Sequence, residues 1–327
     1  MVYIRCDLCQ SDRYITIEAM GRFRHPVTNV VCCQCGLVFQ NPRLENGELN
    51  SFYANHFSED LYGLIGADLM SVIDGHRFNY IRNYIKENFS EYDPRRMKIL
   101  EIGCGHGGLM KLLEKDGYCV EGIEPSISLC KSSCDKGLKV YNCFLEDFVS
   151  RHRFDLVLAF HVIEHTSSAV TFMKKINSLL DDKGRVVIET PDVWHLYGDP
   201  HTGRDYLFRK DHTFTFSENS LGFLASLTGF NSRPIKRLTP RHIWFEFNRE
   251  ESTQRQTPLL QDRYEDIVCH VFNYRAHFSW RQRILTTERL IILQSLILKL
   301  VGQKGLKNIK AFLRKIGIYR LIEKIRS

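Results

Sequence analysis

The chain has 327 residues, 43% of them hydrophobic and 25% charged, enough for one full α/β domain with a real core plus smaller units. No run of about 18 uncharged apolar residues occurs and the opening MVYIRCDLC lacks a basic-then-apolar leader pattern, so a transmembrane helix is excluded and a cytoplasmic chain is expected. The formal charge of +7 is local: residues 281–327 hold twelve Lys/Arg against Glu288 and Glu323, which leaves the other 280 residues at −3 and argues against a broad nucleic-acid footprint on the body of the protein.

Residues 1–45 form a first unit, rich in cysteine and poor in helical periodicity, that ends in the turn-prone Asn41-Pro42. Five of the eleven cysteines fall in the first 35 residues, and crowding without a secretion signal points to metal rather than disulfides. Cys6-x-x-Cys9 and Cys32-x-x-Cys35 are two C-x-x-C pairs separated by 22 residues, close to the spacing of four-thiolate zinc ribbons. Each pair aims two sulfurs at one point, so Cys6, Cys9, Cys32 and Cys35 are expected to close a structural Zn2+ tetrahedron with no open position. Cys33 is a possible substitute for Cys32, but Cys32 keeps the two-residue spacing to Cys35.

Residues 46–95 read as a mostly helical linker or cap, and residues 96–250 as a domain in which strands alternate with helices. Strands are expected at 97–102 (MKILEI), 118–123 (YCVEGI), KVYNC, 154–160 (FDLVLAF) and 185–190 (RVVIET). Between them come helices from Gly108 to about Asp116, Ser126 to about Lys136 and Ser168 to Leu180. Short buried apolar strands separated by amphipathic helices signal a parallel sheet covered on both faces. Ser217 with Glu218 starts another helix that stops at Gly229, and residues 242–247 (HIWFEF) read as a late, antiparallel strand.

ILEIGCGHGG follows the first of these strands and opens a helix, which places Gly103, Gly105 and Gly107 where backbone must approach a bound ligand. Gly103, Gly105 and Gly108 also satisfy the dinucleotide pattern G-x-G-x-x-G, so the loop alone is ambiguous. Glu124 ends the next strand, where a carboxylate accepts both hydroxyls of a ribose in either reading. Glu101 two residues ahead of Gly103, and FDLVLAFHVIEH followed by KGRVVIETPD, resemble the class I S-adenosylmethionine-dependent methyltransferases. The resemblance implies a Rossmann-like sheet in which Glu101, Gly103, Gly105 and Gly107 line the methionine end. It further implies that Glu124 holds the ribose and that Phe144, Leu145 and Phe160 border the cofactor. Phe144 departs from the Asp often found at its position.

CDLC, then CCQCGLVFQNPR, then the glycine loop together resemble bacterial methyltransferases with an N-terminal zinc-binding domain, among them sugar C-methyltransferases and enzymes of surface-polysaccharide biosynthesis. That resemblance spans roughly residues 1–230 and implies a nucleotide sugar or glycan as acceptor. It also implies His165, in HVIEHT, as base, with Asp211 and His212, in RKDHTFTF, as helper pair. A histidine near neutral pH takes a proton from a hydroxyl or carbon, and a carboxylate orients it. Arg209 stands where those enzymes have a tyrosine. HVIEH also resembles the E-x-x-E-H of quinone and small-RNA 3′-end methyltransferases, which would make His161, Glu164, His165 and His212 ligands of a divalent ion; His161 replaces the acid there. Trp194, His195, Tyr197 and His201 follow the fifth strand in a loop expected either to cover an acceptor or to pack as a lid.

Residues 251–327 are read as a basic helical extension. RLIILQSLILKLV at 289–301 spans only about 20 Å as a helix, too short to cross a bilayer. Leu306, Ile309, Leu313 and Ile316 recur at helical spacing among Lys307, Lys310, Arg314 and Lys315, as in a helix that docks on a membrane surface, packs on the domain, or joins two subunits. An RNA methyltransferase and a non-catalytic cofactor-binding scaffold are the alternatives. No N-P-P-aromatic or D-P-P-aromatic motif follows the fourth strand to support the first of them.

Overall fold

The computed structural model describes residues 1–18, 27–55, 67–196, 198–199, 204–205, 208–209, 211–249 and 262–277. The expected basic tail at 281–327, with Tyr197 and His201, lies outside them.

Three short strands come first: β1 (Tyr14–Glu18), β2 (Asn29–Cys32) and β3 (Val38–Gln40). Among the described residues two helices follow, α1 (Asn46–Asn55) and α2 (Ala67–Asn88). The alternating part then runs β4 (Lys98–Ile102), α3 (Gly108–Lys115), β5 (Cys119–Ile123), α4 (Ile127–Cys134), β6 (Val140–Tyr141), β7 (Phe154–Phe160), α5 (Ala169–Leu179) and β8 (Leu180–Pro191). Two two-residue strands that pair antiparallel, β9 (Gly198–Asp199) and β10 (Arg204–Asp205), precede β11 (Phe214–Thr215), α6 (Glu218–Thr228), β12 (Phe230–Pro234), β13 (His242–Arg249) and α7 (Tyr264–His277).

The helix starts follow local chemistry. The Ser168 hydroxyl accepts the Thr171 N–H at 3.1 Å ahead of α5, and Ser217 and Ser220 exchange a capping box ahead of α6, each satisfying N–H groups that a first turn leaves orphaned. Gly229 ends α6 in the left-handed conformation, φ 78°.

The main sheet has seven strands in the order β6-β5-β4-β7-β8-β13-β12. β4 to β8 are parallel, and β13 inserts antiparallel between β8 and β12 with Phe245 opposite Ile188. This is the Rossmann-like sheet that the resemblance implies, and the late strand at 242–247 is antiparallel as expected. Alternation along the strands divides the core. Leu100, Ile102, Val157, Ala159 and Ile188 face one side with α5 and α6, while Ile99, Leu156, Leu158 and Val187 face the other with Ile81, Ile85 and Phe89 of α2 and Leu109 and Leu113 of α3.

The cysteine-rich unit is less separate than its composition suggests. Its sheet runs β1-β2-β3-β11, so a strand from beyond β8 completes it, with Phe214 opposite Phe39 and Thr215 opposite Val38. Leu8, Val30, Leu37 and Phe39 share one continuous apolar cluster with the main sheet. A third cluster lies under α7, where Ile267 and Val271 cover Ile17, Val31 and Val38 of the N-terminal strands, and Trp194 stacks obliquely on His270 at 5.2 Å. No helix among the described residues is long and apolar enough to cross a membrane.

Candidate active site

A cavity of about 140 Å³, open to solvent, runs along the C-terminal ends of β4, β5 and β7. Ile102, Gly103, Ile123 and Glu124 line one end, Phe144 and Leu145 its side, and His161, His165 and Tyr53 the other end. In open α/β sheets this edge is where ligands bind.

Backbone defines the first end. Gly103 and Gly105 have φ of +70° and +55°, a region that suits glycine. A β-carbon on Gly103 would strike Val162, but on Gly105 it would enter open space, so at Gly105 the turn leaves room for something other than protein. Glu124, 5% exposed, is clamped by two N–H groups, Gly105 N to Oε2 at 2.9 Å and Ser126 N to Oε1 at 2.8 Å. Burial raises its carboxyl above the ordinary value, and the two N–H bonds oppose that rise. Each oxygen keeps a second lone pair for a diol hydroxyl. Of the other residues expected to hold a cofactor, Glu101 is buried on β4 but does not line the cavity. Gly107 begins α3 in the left-handed conformation with Leu138 packed against it, and Phe160 turns its ring to Trp244, centroids 5.4 Å apart.

Side chains define the second end. His165 follows β7 and its Nδ1 lies 2.6 Å from the Tyr53 hydroxyl and 2.8 Å from the Asp211 carbonyl oxygen. A carbonyl only accepts, so Nδ1 carries a proton, and in the neutral ring Nε2 holds the basic lone pair. The Tyr53 hydroxyl donates to the same carbonyl at 2.8 Å. His165 thus donates to the Asp211 carbonyl, with the expected carboxylate farther off. The Asp211 carboxylate sits 3.8 Å from His165 Nδ1 and is taken bidentately by Arg209, at 2.8 and 2.6 Å. Burial would raise the Asp211 carboxyl, but the Arg209 guanidinium holds it well below the usual carboxylate range. His212 stacks edge-on against His165 at 4.8 Å. Burial, with the Arg209 guanidinium nearby, pushes its pKa down to about 3, so the ring stays neutral at pH 7.

His161 leaves the strand end in a left-handed conformation, φ 55°, uncommon for a residue other than glycine. Its Nδ1 meets Glu164 at 3.0 Å and its Nε2 lies 3.6 Å from Glu189. Burial lowers its pKa, but the two carboxylates outweigh that and hold it at about 9. Glu164 in turn is kept at about 2, burial opposing and His161 favouring the charge, and accepts the Thr190 hydroxyl at 3.1 Å. Glu189 also binds Arg77 at 3.1 Å and His242 at 2.9 Å. Ligand atoms of Glu164, His165 and His212 lie within 4.8 Å of one another, as do those of His161, Glu189 and His242. The four residues of the divalent-ion reading thus divide between two clusters, and the second is already neutralised by Arg77 and the His161 imidazolium.

In the cysteine unit the four expected ligands converge. Cys6 Sγ lies 3.4 Å from Cys35 Sγ and Cys9 Sγ 3.4 Å from Cys32 Sγ, all four sulfurs within 4.8 Å. About 3.8 Å separates sulfurs on a zinc tetrahedron with ~2.3 Å bonds, so the donor set fits that ion. Hydrogen bonds to the Cys32 sulfur, and burial, push the Cys6 and Cys35 thiols far up, while contacts with Cys35 and Cys6 pull Cys32 down to about 2. Four such thiols cannot ionise together without a cation.

Tyr53, Arg77, Glu189 and His242 escape sequence reasoning. Glu189 leaves a trace as an acid inside the apolar run RVVIET, as Glu101 does in ILEIG; Tyr53 sits in a helix without any motif.

Residues 73–234 match a family described as a methyltransferase domain. A ubiquinone biosynthesis O-methyltransferase of Bradyrhizobium diazoefficiens is 34% identical over 146 residues, covering 41% of this chain and 57% of that protein. One from Rhodopseudomonas palustris is 32% identical over 120 residues, covering 35% and 47%. The chain thus spans about half the length of these curated relatives. Among solved structures, the magnesium protoporphyrin IX methyltransferase of Synechocystis superposes with a TM-score of 0.45 at 16% identity, covering 64% of this chain and 100% of that one. Residues 73–234 thus carry a methyltransferase domain on a Rossmann-like sheet.

Proposed function

We propose that the chain moves a methyl group from S-adenosylmethionine to a hydroxyl or acidic carbon of a small acceptor carrying a sugar, in glycan or glycosylated-metabolite biosynthesis. One observation supports this most: a single cavity joins the Glu124 end to the His165 end, so a base stands beside the place for a methyl donor. The donor, when bound, supplies an electrophilic methyl group. Glu124 orients its nucleoside with Gly103 beside it, and the apolar wall of Ile102, Ile123, Phe144 and Leu145 keeps water from it. His165 Nε2 takes the proton that the acceptor loses, while the Asp211 carbonyl and Tyr53 hold the ring's other nitrogen. The neutral His212 packs the base from behind. Cys6, Cys9, Cys32 and Cys35 would hold a structural zinc.

The sugar reading is supported by the cysteine unit standing together with the Asp211-His212 pair, a combination shared with the sugar methyltransferases that the sequence resembles. A phenolic or quinol acceptor is a second reading, favoured by the names of the curated relatives, which act in ubiquinone biosynthesis. Incubation with a labelled donor against nucleotide sugars, lipid-linked glycans, demethylated quinols and total RNA separates these. Label is expected in a sugar-bearing acceptor; label in the quinol alone overturns the sugar reading, and label in RNA alone overturns both.

A further inference from the structure

The turn Arg209–His212, which supports His165, is closed from outside by the cysteine unit. Gln40, the last residue of β3, is 3% exposed. Its carboxamide donates to the Arg209 carbonyl and to the His212 carbonyl, both at 2.6 Å, so both of its N–H donors are engaged. Its backbone N–H donates to the Thr213 carbonyl at 2.9 Å. The Asp211 carbonyl, which lies between the two held ones in sequence, is the one that meets Tyr53 and His165, each at 2.8 Å. β3 is itself fixed. It pairs with β11, and the Cys32 N–H bonds the Leu37 carbonyl at 2.9 Å, tying the strand to the second C-x-x-C pair. The other side of the His165 segment is also anchored in the cysteine unit. The Asp7 carboxylate, between Cys6 and Cys9, accepts the Ser168 hydroxyl at 2.8 Å and the Val170 N–H at 3.0 Å.

We propose that Gln40 is a positioning residue for the base: by holding the carbonyls of Arg209 and His212, its amide presents the Asp211 carbonyl to His165 and fixes that ring in the Nδ1–H tautomer. This rests on the reading of His165 as base and gives the cysteine unit a task in it. Its four-sulfur cluster anchors the strand that sets which imidazole nitrogen is basic. A ring in the opposite tautomer would present an N–H donor to the acceptor instead of a lone pair.

The test uses the full chain with 15N-labelled histidine, the tautomer of His165 being read from its long-range 15N–1H correlations. The unsubstituted protein is expected in the Nδ1–H form. Gln40→Met keeps the side-chain length but removes both donors and is expected to populate the Nε2–H form; Gln40→Asn, one methylene short, serves the same purpose if the first variant does not fold. Phe39→Leu loosens the same strand with the amide intact and is expected to leave the tautomer unchanged. An unsubstituted protein in the Nε2–H form, an unaltered tautomer in a folded Gln40 variant, or an equal change in Phe39→Leu would overturn the proposal. The readout needs no acceptor. Calorimetry with S-adenosylmethionine is expected to give the same affinity in Gln40→Met within about twofold. Failure of the unsubstituted protein to bind that donor would sink the methyl-transfer reading alone and leave the tautomer result standing.

Discussion

The two ends of the cavity are built from different materials. At the Glu124 end the shape comes from backbone: left-handed glycines, a strand terminus and two N–H groups on one carboxylate. At the His165 end it comes from side chains delivered by distant segments, with Tyr53 from α1, His165 after β7, Asp211 and His212 ahead of β11, and Gln40 from β3. A local turn is fixed by a few consecutive residues, whereas the second end exists only once the whole chain is assembled. Damage to the first end should therefore stay local, and damage to the second should arrive from far away.

The largest expected effect comes from the most distant change. Cys35→Ser should take bound zinc from about one ion per chain to none, since a closed site needs all four thiolates. Because Cys35, Leu37 and Phe39 belong to the same apolar cluster as the main sheet, the thermal midpoint of the entire protein should drop with it. Metal analysis and calorimetric melting check both; a metal-free variant that melts like the parent would show the cysteine unit to be energetically separate.

Within the glycine turn, a paired substitution separates packing from ligand space. Gly107→Ala drives a β-carbon into Leu138 in a left-handed position, and should cost about 2–4 kcal/mol in denaturant melts. Gly105→Ala meets no atom within 4 Å and should cost only about 1–2 kcal/mol, yet weaken the methyl donor more than tenfold. Equal donor affinity in Gly105→Ala and parent would mean that the turn holds no ligand there.

Tyr53→Phe removes one hydroxyl from the His165 end. Stability should fall by about 1–3 kcal/mol, and transfer, measured on whichever acceptor takes label, should fall while donor affinity holds. Loss of donor affinity instead would place Tyr53 at the first end.

A pH optimum is also expected. His161 is held up at about 9, so its contribution is full below its ordinary value near 6.5 and is lost as pH rises through 9. His212 is pushed down to about 3; the unfolded chain takes up that proton first, so stability falls as pH drops from about 6.5 through 3. Melting temperature should peak near neutral pH. His161→Asn, which tolerates the left-handed backbone, should flatten the alkaline limb alone; an unchanged limb would remove His161 as its cause.

The same division decides what the sequence discloses. The order of β4 to β8, Gly103 and Gly105, Glu124 and the four cysteines can be read directly, since spacing along the chain is the signal and each group acts with its neighbours. His165, Asp211 and His212 are also legible as a set. Their wiring is not, because whether Asp211 offers its carboxylate or its carbonyl depends on Arg209 claiming the former. β12 is hidden in FNSRP, which has no alternation, and β11 is a two-residue strand that exists only through its partner β3. Tyr53 and Gln40 lie over 100 residues from the groups they hold, a distance that no local pattern encodes.

Isothermal calorimetry with S-adenosylmethionine, on the parent and on Glu124→Ala, tests the central claim most directly. The parent should bind one equivalent, and the variant, which loses charged acceptors for a diol worth about 1.5–3 kcal/mol, should bind roughly 10- to 100-fold more weakly with its zinc content unaltered. No heat with that donor, or an affinity indifferent to Glu124, would contradict the assignment of this cavity to methyl transfer.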